Sequence, residues 1–273
     1  MKLYLILFSF LFNFSLFAQS EIKQITLTEN IPYRTDVGNS TVLDLAQPLF
    51  GPQENRPVIL IIHGGGWSAG SKDDMVYRAL MVDYALQGYV VANMNYRLTQ
   101  EAPMPACIED VRSAVRWLKA NASQLGINPE KIGTFGHSAG GHLSLMLGLN
   151  IENGSFEDEN APFIEYSPEV ACSVGGAPPT EIGNPAIPWA QHPEWWPIGH
   201  IRNCKTPFLI LQGDADPIVK PELTEDWVNK MREAGAGIEY LKVEGDHSIA
   251  FDRRLEVTRP AMDAFFSKQL KNK

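Results

Sequence analysis

The sequence predicts an α/β domain: a mostly parallel central sheet with helices on both faces and no large cap domain. Three observations lead there. Short apolar runs alternate with helical stretches of ten or more residues, the pattern of βαβ units. One of those runs, Pro57–His63 (PVILIIH), is apolar almost without a break, as a strand covered on both faces must be. The unusual loops HGGGW, GHSAG and GDADP each directly follow such a run, and open parallel sheets gather ligand-binding groups at the carboxyl ends of their strands.

Residues 1–18 stand apart from the fold. Lys2, the run Leu3–Phe17 broken only by Ser9, Asn13 and Ser15, and the small Ala18 make a secretory signal with a cleavage point. The run is short for a bilayer span of about 20 residues. Residues 19–273 are expected to form one domain, opened by strand-like Ile22–Thr28 and Thr41–Ala46. After PVILIIH, Lys72–Gln87 reads as a helix that Gly88 ends, and Tyr89–Tyr96 as a strand. Ala106–Ala122 is helical, with apolar residues at 108, 111, 115 and 118, a spacing near 3.6. Lys131–His137 is a strand running into a helix that opens at Ser138. Val170–Gly175 and Pro207–Gln212 are further strands, Pro221–Ala234 a helix, Ile238–Val243 a strand, and Asp252–Leu270 the last helix. Crossovers between the parallel strands should be right-handed, which places helices on both faces.

Composition narrows the function classes. With 44% hydrophobic and 20% charged residues the 273-residue chain is ordinary globular material, without repeats or low-complexity tracts. The formal charge is −9, and −10 once Lys2 leaves with the leader, with no Lys/Arg run, so nucleic acid is not an expected partner. No later segment is apolar for long enough to span a membrane, and the mature protein is expected to be exported, to the periplasm or the medium. Cysteines are few; Cys172 and Cys204 flank core strands and could bridge, while Cys107, Cys172 and Cys204 as three buried thiols is the other reading. No Cys/His cluster has zinc spacing, and neither a metal nor an organic cofactor is expected.

The chemistry sits in the loops. Three consecutive glycines in His63–Trp67 are costly in chain entropy but supply backbone N–H groups that no side chain obstructs. A negative oxygen formed in acyl transfer needs such donors. Gly136-His137-Ser138-Ala139-Gly140 satisfies G-x-S-x-G between a strand and a helix, where a tight turn projects the serine hydroxyl and leaves the Ala139 N–H at a helix N-terminus. Ser138 as a simple N-cap explains a serine but not the two glycines. A serine nucleophile needs a base, and the base an orienting carboxylate, in the chain order Ser, Asp or Glu, His. Of six histidines only His247 lies beyond the acidic candidates. Those are Asp214 and Asp216, with Asp246 weaker because it adjoins His247 and points away. His63 is read as bracing the glycine loop, and His137, His142, His192 and His200 as packing or loop residues.

Together HGGGWSAGSK, the NYRL of Asn95–Leu98, PACIED at Pro105–Asp110, GINPEKIGTFGHSAGGHL and GDADPIV resemble the α/β-hydrolase superfamily. Within it the chain is most similar to hormone-sensitive-lipase-like carboxylesterases and the bacterial carbohydrate esterases near them, over roughly residues 40–270. The resemblance implies the α/β-hydrolase fold, Ser138 as nucleophile, His247 as base and Asp216, followed by Ile218-Val219, as the acid. It also implies an oxyanion hole from the amides of Gly65, Gly66 and Ala139. The N-terminal helical cap of the lipase-like members has no counterpart here. Instead a short Pro-rich segment at 177–204 carries Trp189, Trp195 and Trp196, which with Trp67 are expected to rim the substrate site; packing of the loop onto the sheet is the rival reading. An exported esterase acting on acetyl or feruloyl esters of plant polysaccharide is the expectation. The rivals are a short-chain carboxylesterase or lipase-like enzyme, a prolyl-oligopeptidase-type peptidase, and an inactive hydrolase-like binding protein.

Overall fold

The computed structural model describes residues 23–151, 156, 158–182, 188–249 and 255–271. The expected leader at 1–18 and the start of the last expected helix at Asp252 lie outside the described residues. Eight strands form one sheet: β1 (Ile25–Pro32), β2 (Val42–Pro48), β3 (Arg56–Ile62), β4 (Val90–Met94), β5 (Ile127–His137), β6 (Cys172–Gly176), β7 (Phe208–Gly213) and β8 (Ile238–Val243). Their spatial order is β1-β2-β4-β3-β5-β6-β7-β8. β1 pairs antiparallel with β2, and β2 with β4; all remaining neighbours are parallel. The helices are α1 (Met75–Leu86), α2 (Ala106–Ala120), α3 (Ala122–Leu125), α4 (Ala139–Gly148), α5 (Pro221–Glu233) and α6 (Leu255–Phe266), the last continued by a π-helical turn at Ser267–Lys271.

The unbroken apolar run of β3 is explained by two separate apolar layers. Val58, Leu60 and Ile62 share one layer with Val111 and Val115 of α2, Leu143 and Leu147 of α4, and Trp227 and Met231 of α5. Ile59 and Ile61 share the other with Tyr77, Met81 and Tyr84 of α1 and Met262, Phe265 and Phe266 of α6. Alternate side chains of one strand therefore bury on opposite faces, and neither face tolerates a polar residue. The α/β-hydrolase fold is thus present. Between β6 and β7 the described residues hold only three short 3-10 turns, Pro188–Gln191, Pro193–Trp195 and Pro197–His200.

Element ends shift for local reasons. α1 begins at Met75 rather than Lys72 because Asp74 Oδ2 accepts the Ser71 N–H and Ser71 Oγ accepts the Asp73 N–H, closing a turn in place of a helical start. Gly88 ends it at φ 96, donating to the Ala85 carbonyl. The expected helix Ala106–Ala122 divides at Asn121, whose side-chain amide donates to the Trp117 carbonyl while its own backbone leaves helical angles. The Cys172–Cys204 bridge does not form, and no disulfide joins Cys107, Cys172 or Cys204. Cys172 belongs to the layer shared with α6, whereas Cys204 packs against the opposite layer, so the sheet itself separates them.

The chain that leaves β3 is tied back at Lys72. Its ammonium, 1% exposed, pairs at 2.9 Å with the fully buried Asp44 of β2. The Asn95 side chain accepts the Lys72 N–H, and Asn93 donates to the Lys72 carbonyl. Removing one member of a buried ion pair leaves an uncompensated charge, whereas replacing both by apolar groups does not. Lys72→Met should therefore lower the unfolding free energy by about 3 kcal/mol in urea titration. Lys72→Met with Asp44→Leu should regain much of it, and equal losses in the two variants would contradict the pairing.

Candidate active site

β5 delivers the chain to Ser138 and α4 carries it away, and the reversal between them is abrupt. Ser138 adopts φ 55 and ψ −122, a left-handed backbone that L-residues avoid. Its N–H is held by the Gly176 carbonyl at 2.8 Å, and its carbonyl accepts the His142 N–H at 2.9 Å. The flanking glycines are sterically required. A Cβ on Gly136 would stand 2.0 Å from the Gly140 carbonyl oxygen, and one on Gly140 would stand 2.1 Å from that of Ile62. The Ser138 hydroxyl makes no capping bond to the helix; it lies 2.9 Å from His247 Nε2.

His247 sits on the loop after β8. Its Nδ1 donates to Asp216 Oδ2 at 2.8 Å, which leaves Nε2 to accept from the Ser138 hydroxyl. Asp216, its carboxylate wholly out of solvent, is held in turn. Oδ1 accepts the N–H groups of Ile218 and Val219 at 2.8 and 2.9 Å, and Oδ2 accepts from Gln212 Nε2 at 3.2 Å. The other acids face elsewhere: Asp214 accepts the Gly245 N–H, and Asp246 accepts the Ser248 N–H and hydroxyl. The structure thus joins Ser138, His247 and Asp216 in one hydrogen-bonded chain.

The glycine loop lies alongside. Gly65, Gly66 and Trp67 have φ of 117, 60 and 59. The Gly65 carbonyl accepts the N–H groups of Ser68 and Ala69, turning the loop back on itself. A Cβ on Gly64 would lie 2.8 Å from the His137 carbonyl and 3.4 Å from Ser138 Cβ, so loop and serine touch. Tyr77 Oη accepts the Gly64 N–H at 2.6 Å, and His63 donates from Nδ1 to the Gly64 carbonyl at 2.7 Å while stacked on Tyr96. Among the described residues no hydrogen bond takes up the amides of Gly65, Gly66 or Ala139.

Ser138 opens onto a cleft of about 650 Å³ walled by Gly66, Trp67, Pro179, Ile182, Ile218, Val219 and Leu223, with Thr180, Glu181 and Lys220 as its polar lining. Of the four expected rim tryptophans only Trp67 lines it. Trp196 is 1% exposed and donates its indole N–H to the Trp189 carbonyl; Trp195 stacks on His192 at 3.9 Å. The rim expectation is corrected for Trp196, which turns into the core, while Trp189 and Trp195, both partly buried, pack against the same apolar layer and do not line this cleft. No group of three or more His, Cys, Asp or Glu suited to a metal occurs among the described residues.

Two histidines read as packing residues prove to be hydrogen-bonded struts. His137 Nε2 donates to the His247 carbonyl at 2.6 Å. His142 Nδ1 accepts the Trp67 indole N–H at 3.1 Å and its Nε2 donates to the Trp195 carbonyl at 2.8 Å. Burial pushes both imidazoles down to about 4, so both are neutral. Tyr77 and Gln212 were also unmarked in the sequence; a lone His, Tyr or Gln within a strand or helix carries no periodicity that reveals its partner.

The BD-FAE family profile matches residues 43–192, and that of the prolyl oligopeptidase family matches residues 179–273. The chain is 27% identical over 256 residues to Esterase LipQ of Mycobacterium tuberculosis, covering 82% of this chain and 57% of that protein. It is 39% identical over 116 residues to Carboxylesterase NlhH of the same species, covering 41% of this chain and 35% of NlhH. The chain spans about half the length of the curated relatives it matches first. Among solved structures, a truncated carbohydrate esterase from gut microbiota superposes with TM-score 0.79 at 26% identity, covering 90% of this chain and 97% of that one. A thermophilic esterase from Thermogutta terrifontis gives TM-score 0.73 at 25% identity over 89% and 91% of the two chains.

Two outcomes follow from the geometry. Gly140→Ala should abolish the turn at Ser138, seen as loss of soluble folded protein or of hydrolytic activity; wild-type behaviour would contradict the 2.1 Å approach. For His137, the folded pKa of about 4 lies below the usual 6.5, so unfolding takes up a proton between those values. Stability should fall as pH drops from about 6.5 towards 4, and His137→Gln should flatten that slope by about one proton's share. An unchanged slope would contradict a neutral His137.

Proposed function

The chain belongs to the BD-FAE family, and on that footing we propose that it is a serine carboxylesterase working through an acyl-enzyme. One observation carries the reading: the Ser138 hydroxyl, His247 imidazole and Asp216 carboxylate form an unbroken hydrogen-bonded chain at the floor of an open cleft, beside the glycine loop. Ser138 Oγ attacks the ester carbonyl as its proton passes to His247 Nε2. The tetrahedral oxygen is held by the amides of Gly65, Gly66 and Ala139, the last at the positive end of α4. His247 then gives its proton to the leaving alcohol. A water, deprotonated by the same nitrogen, attacks the acyl-enzyme, and Ser138 leaves with the proton. Asp216 holds the Nδ1–H tautomer and stabilises the imidazolium. The polar contacts that fix Asp216 leave it a strong acceptor without motion during the reaction.

We further propose that the substrate is an acetyl or feruloyl ester on plant polysaccharide and that the protein acts outside the cytoplasm, in the periplasm or the medium. The open cleft and the similarity to a carbohydrate esterase from gut microbiota support the substrate class. The leader-like residues 1–18 support export. A second reading, a serine peptidase, is favoured by the prolyl oligopeptidase profile, whose span includes both Asp216 and His247.

Turnover of p-nitrophenyl acetate, a long-chain ester, methyl ferulate, acetylated xylan and a prolyl amide by wild type and Ser138→Ala tests these readings. Ser138→Ala should lose about 10³-fold or more in kcat on every substrate that is turned over. Undiminished turnover in that variant would sink the nucleophile; activity on the amide alone would favour the peptidase; preference for the long-chain ester would remove the polysaccharide reading.

A further inference from the structure

We infer that His142 is a positioning residue for the glycine loop. By accepting the Trp67 indole N–H and donating to the Trp195 carbonyl, it clamps the turn that carries the Gly65 and Gly66 amides against the helix that begins at Ser138. The inference rests on the reading that those amides hold the oxyanion.

The loop needs such a clamp. Gly65, Gly66 and Trp67 form three successive positive-φ residues, and an aromatic residue at φ 59 persists only when its surroundings impose it. Backbone bonds secure the ends: Gly64 donates to Tyr77 Oη, and the Trp67 carbonyl accepts the Thr99 N–H at 2.8 Å. Within the loop the Gly64 carbonyl is held by His63 Nδ1 and the Gly65 carbonyl by the Ser68 and Ala69 N–H groups, so the loop moves as a unit and its placement against the serine decides where the Gly65 and Gly66 amides stand. The Trp67 side chain ties that unit to α4 through His142. Its indole meets the rings of His142 and Trp196 edge-on, each at 5.4 Å and 83°.

His142 suits the task for three reasons. It lies one helical turn beyond Ser138, with its own N–H on the Ser138 carbonyl, so the acceptor it offers Trp67 is fixed relative to the serine. Its ring is fully buried and uses both nitrogens, which leaves it a single orientation. Burial keeps it neutral, and only a neutral imidazole accepts at Nδ1 while donating at Nε2. The far end of the clamp is the Trp195 carbonyl, so the segment at 188–200 serves the glycine loop as a buttress.

The test compares three substitutions on p-nitrophenyl acetate, with circular dichroism and thermal unfolding on each. His142→Leu keeps bulk and loses both bonds. His142→Gln can still accept and donate. Trp67→Phe removes the donor together with part of the ring and keeps an aromatic face. His142→Leu and Trp67→Phe should each lower kcat about tenfold to a hundredfold with KM changed by less than about threefold, as expected for misplaced oxyanion donors. His142→Gln should stay within about fivefold of wild type, and the double variant His142→Leu/Trp67→Phe should be no slower than the slower single, because one contact is lost in both. If His142→Leu does not fold, Trp67→Phe and His142→Gln carry the comparison. The inference is overturned if Gln is as slow as Leu, if the two single losses multiply, or if Trp67→Phe keeps wild-type kcat. Those outcomes with Ser138→Ala inactive strike the clamp alone; an active Ser138→Ala strikes the underlying reading.

Discussion

One backbone geometry governs the rest of the molecule: Ser138 at φ 55 and ψ −122, held in the reversal between β5 and α4. Such a residue costs on the order of 1–3 kcal/mol and persists only where its neighbours leave no alternative. Here the neighbours are backbone. Gly136 lies against the Gly140 carbonyl, Gly140 against the carbonyls of Ile62 and His63, and the Ser138 N–H is fixed on Gly176. β3, β5 and β6 must therefore be adjacent and parallel, with their carboxyl ends level, before the serine can be presented at all. The continuous apolar runs of the central strands are the sequence expression of that demand.

Around the serine the molecule uses neutral histidines as fixed spacers. His63, His137 and His142 are buried and displaced towards low pKa, each with a backbone carbonyl as acceptor. They secure the glycine loop, the His247 loop and the segment at 188–200 in turn. His247 differs from them in remaining partly open to solvent, with its imidazole shared between Ser138 and the buried Asp216. A proton can enter and leave there, while the surrounding imidazoles keep their tautomers.

The strands and the strand-ending loops were legible in the sequence because their constraints are local: two-faced burial writes an apolar run, and close backbone approach writes glycine. The choice between Asp214 and Asp216 was not legible in spacing, since both stand in the same turn. What separates them is that Asp216 folds back to accept the N–H groups of Ile218 and Val219, while Asp214 turns to Gly245. Spacing left the cysteine bridge open because flanking a strand does not say which face a side chain takes; Cys172 is buried on one side of the sheet and Cys204 packs, half-buried, on the other. Spacing left the tryptophans open for a related reason. Aromatic rings in a Pro-rich loop look the same in sequence whether they turn outward to ligand or, as with Trp196, inward to the core. The roles of His137 and His142 depend on partners 110 and 53 residues away, which no local pattern encodes.

The account stands on Ser138 being an activated nucleophile, and labelling addresses that directly. An alkyl fluorophosphonate reacts with a serine that has a base poised on it, and ordinary hydroxyls do not react. Intact-mass spectrometry with peptide mapping should find one adduct per chain on the peptide containing Ser138, and none in His247→Ala under the same exposure. An adduct on another residue, or equal labelling without His247, would contradict the central claim.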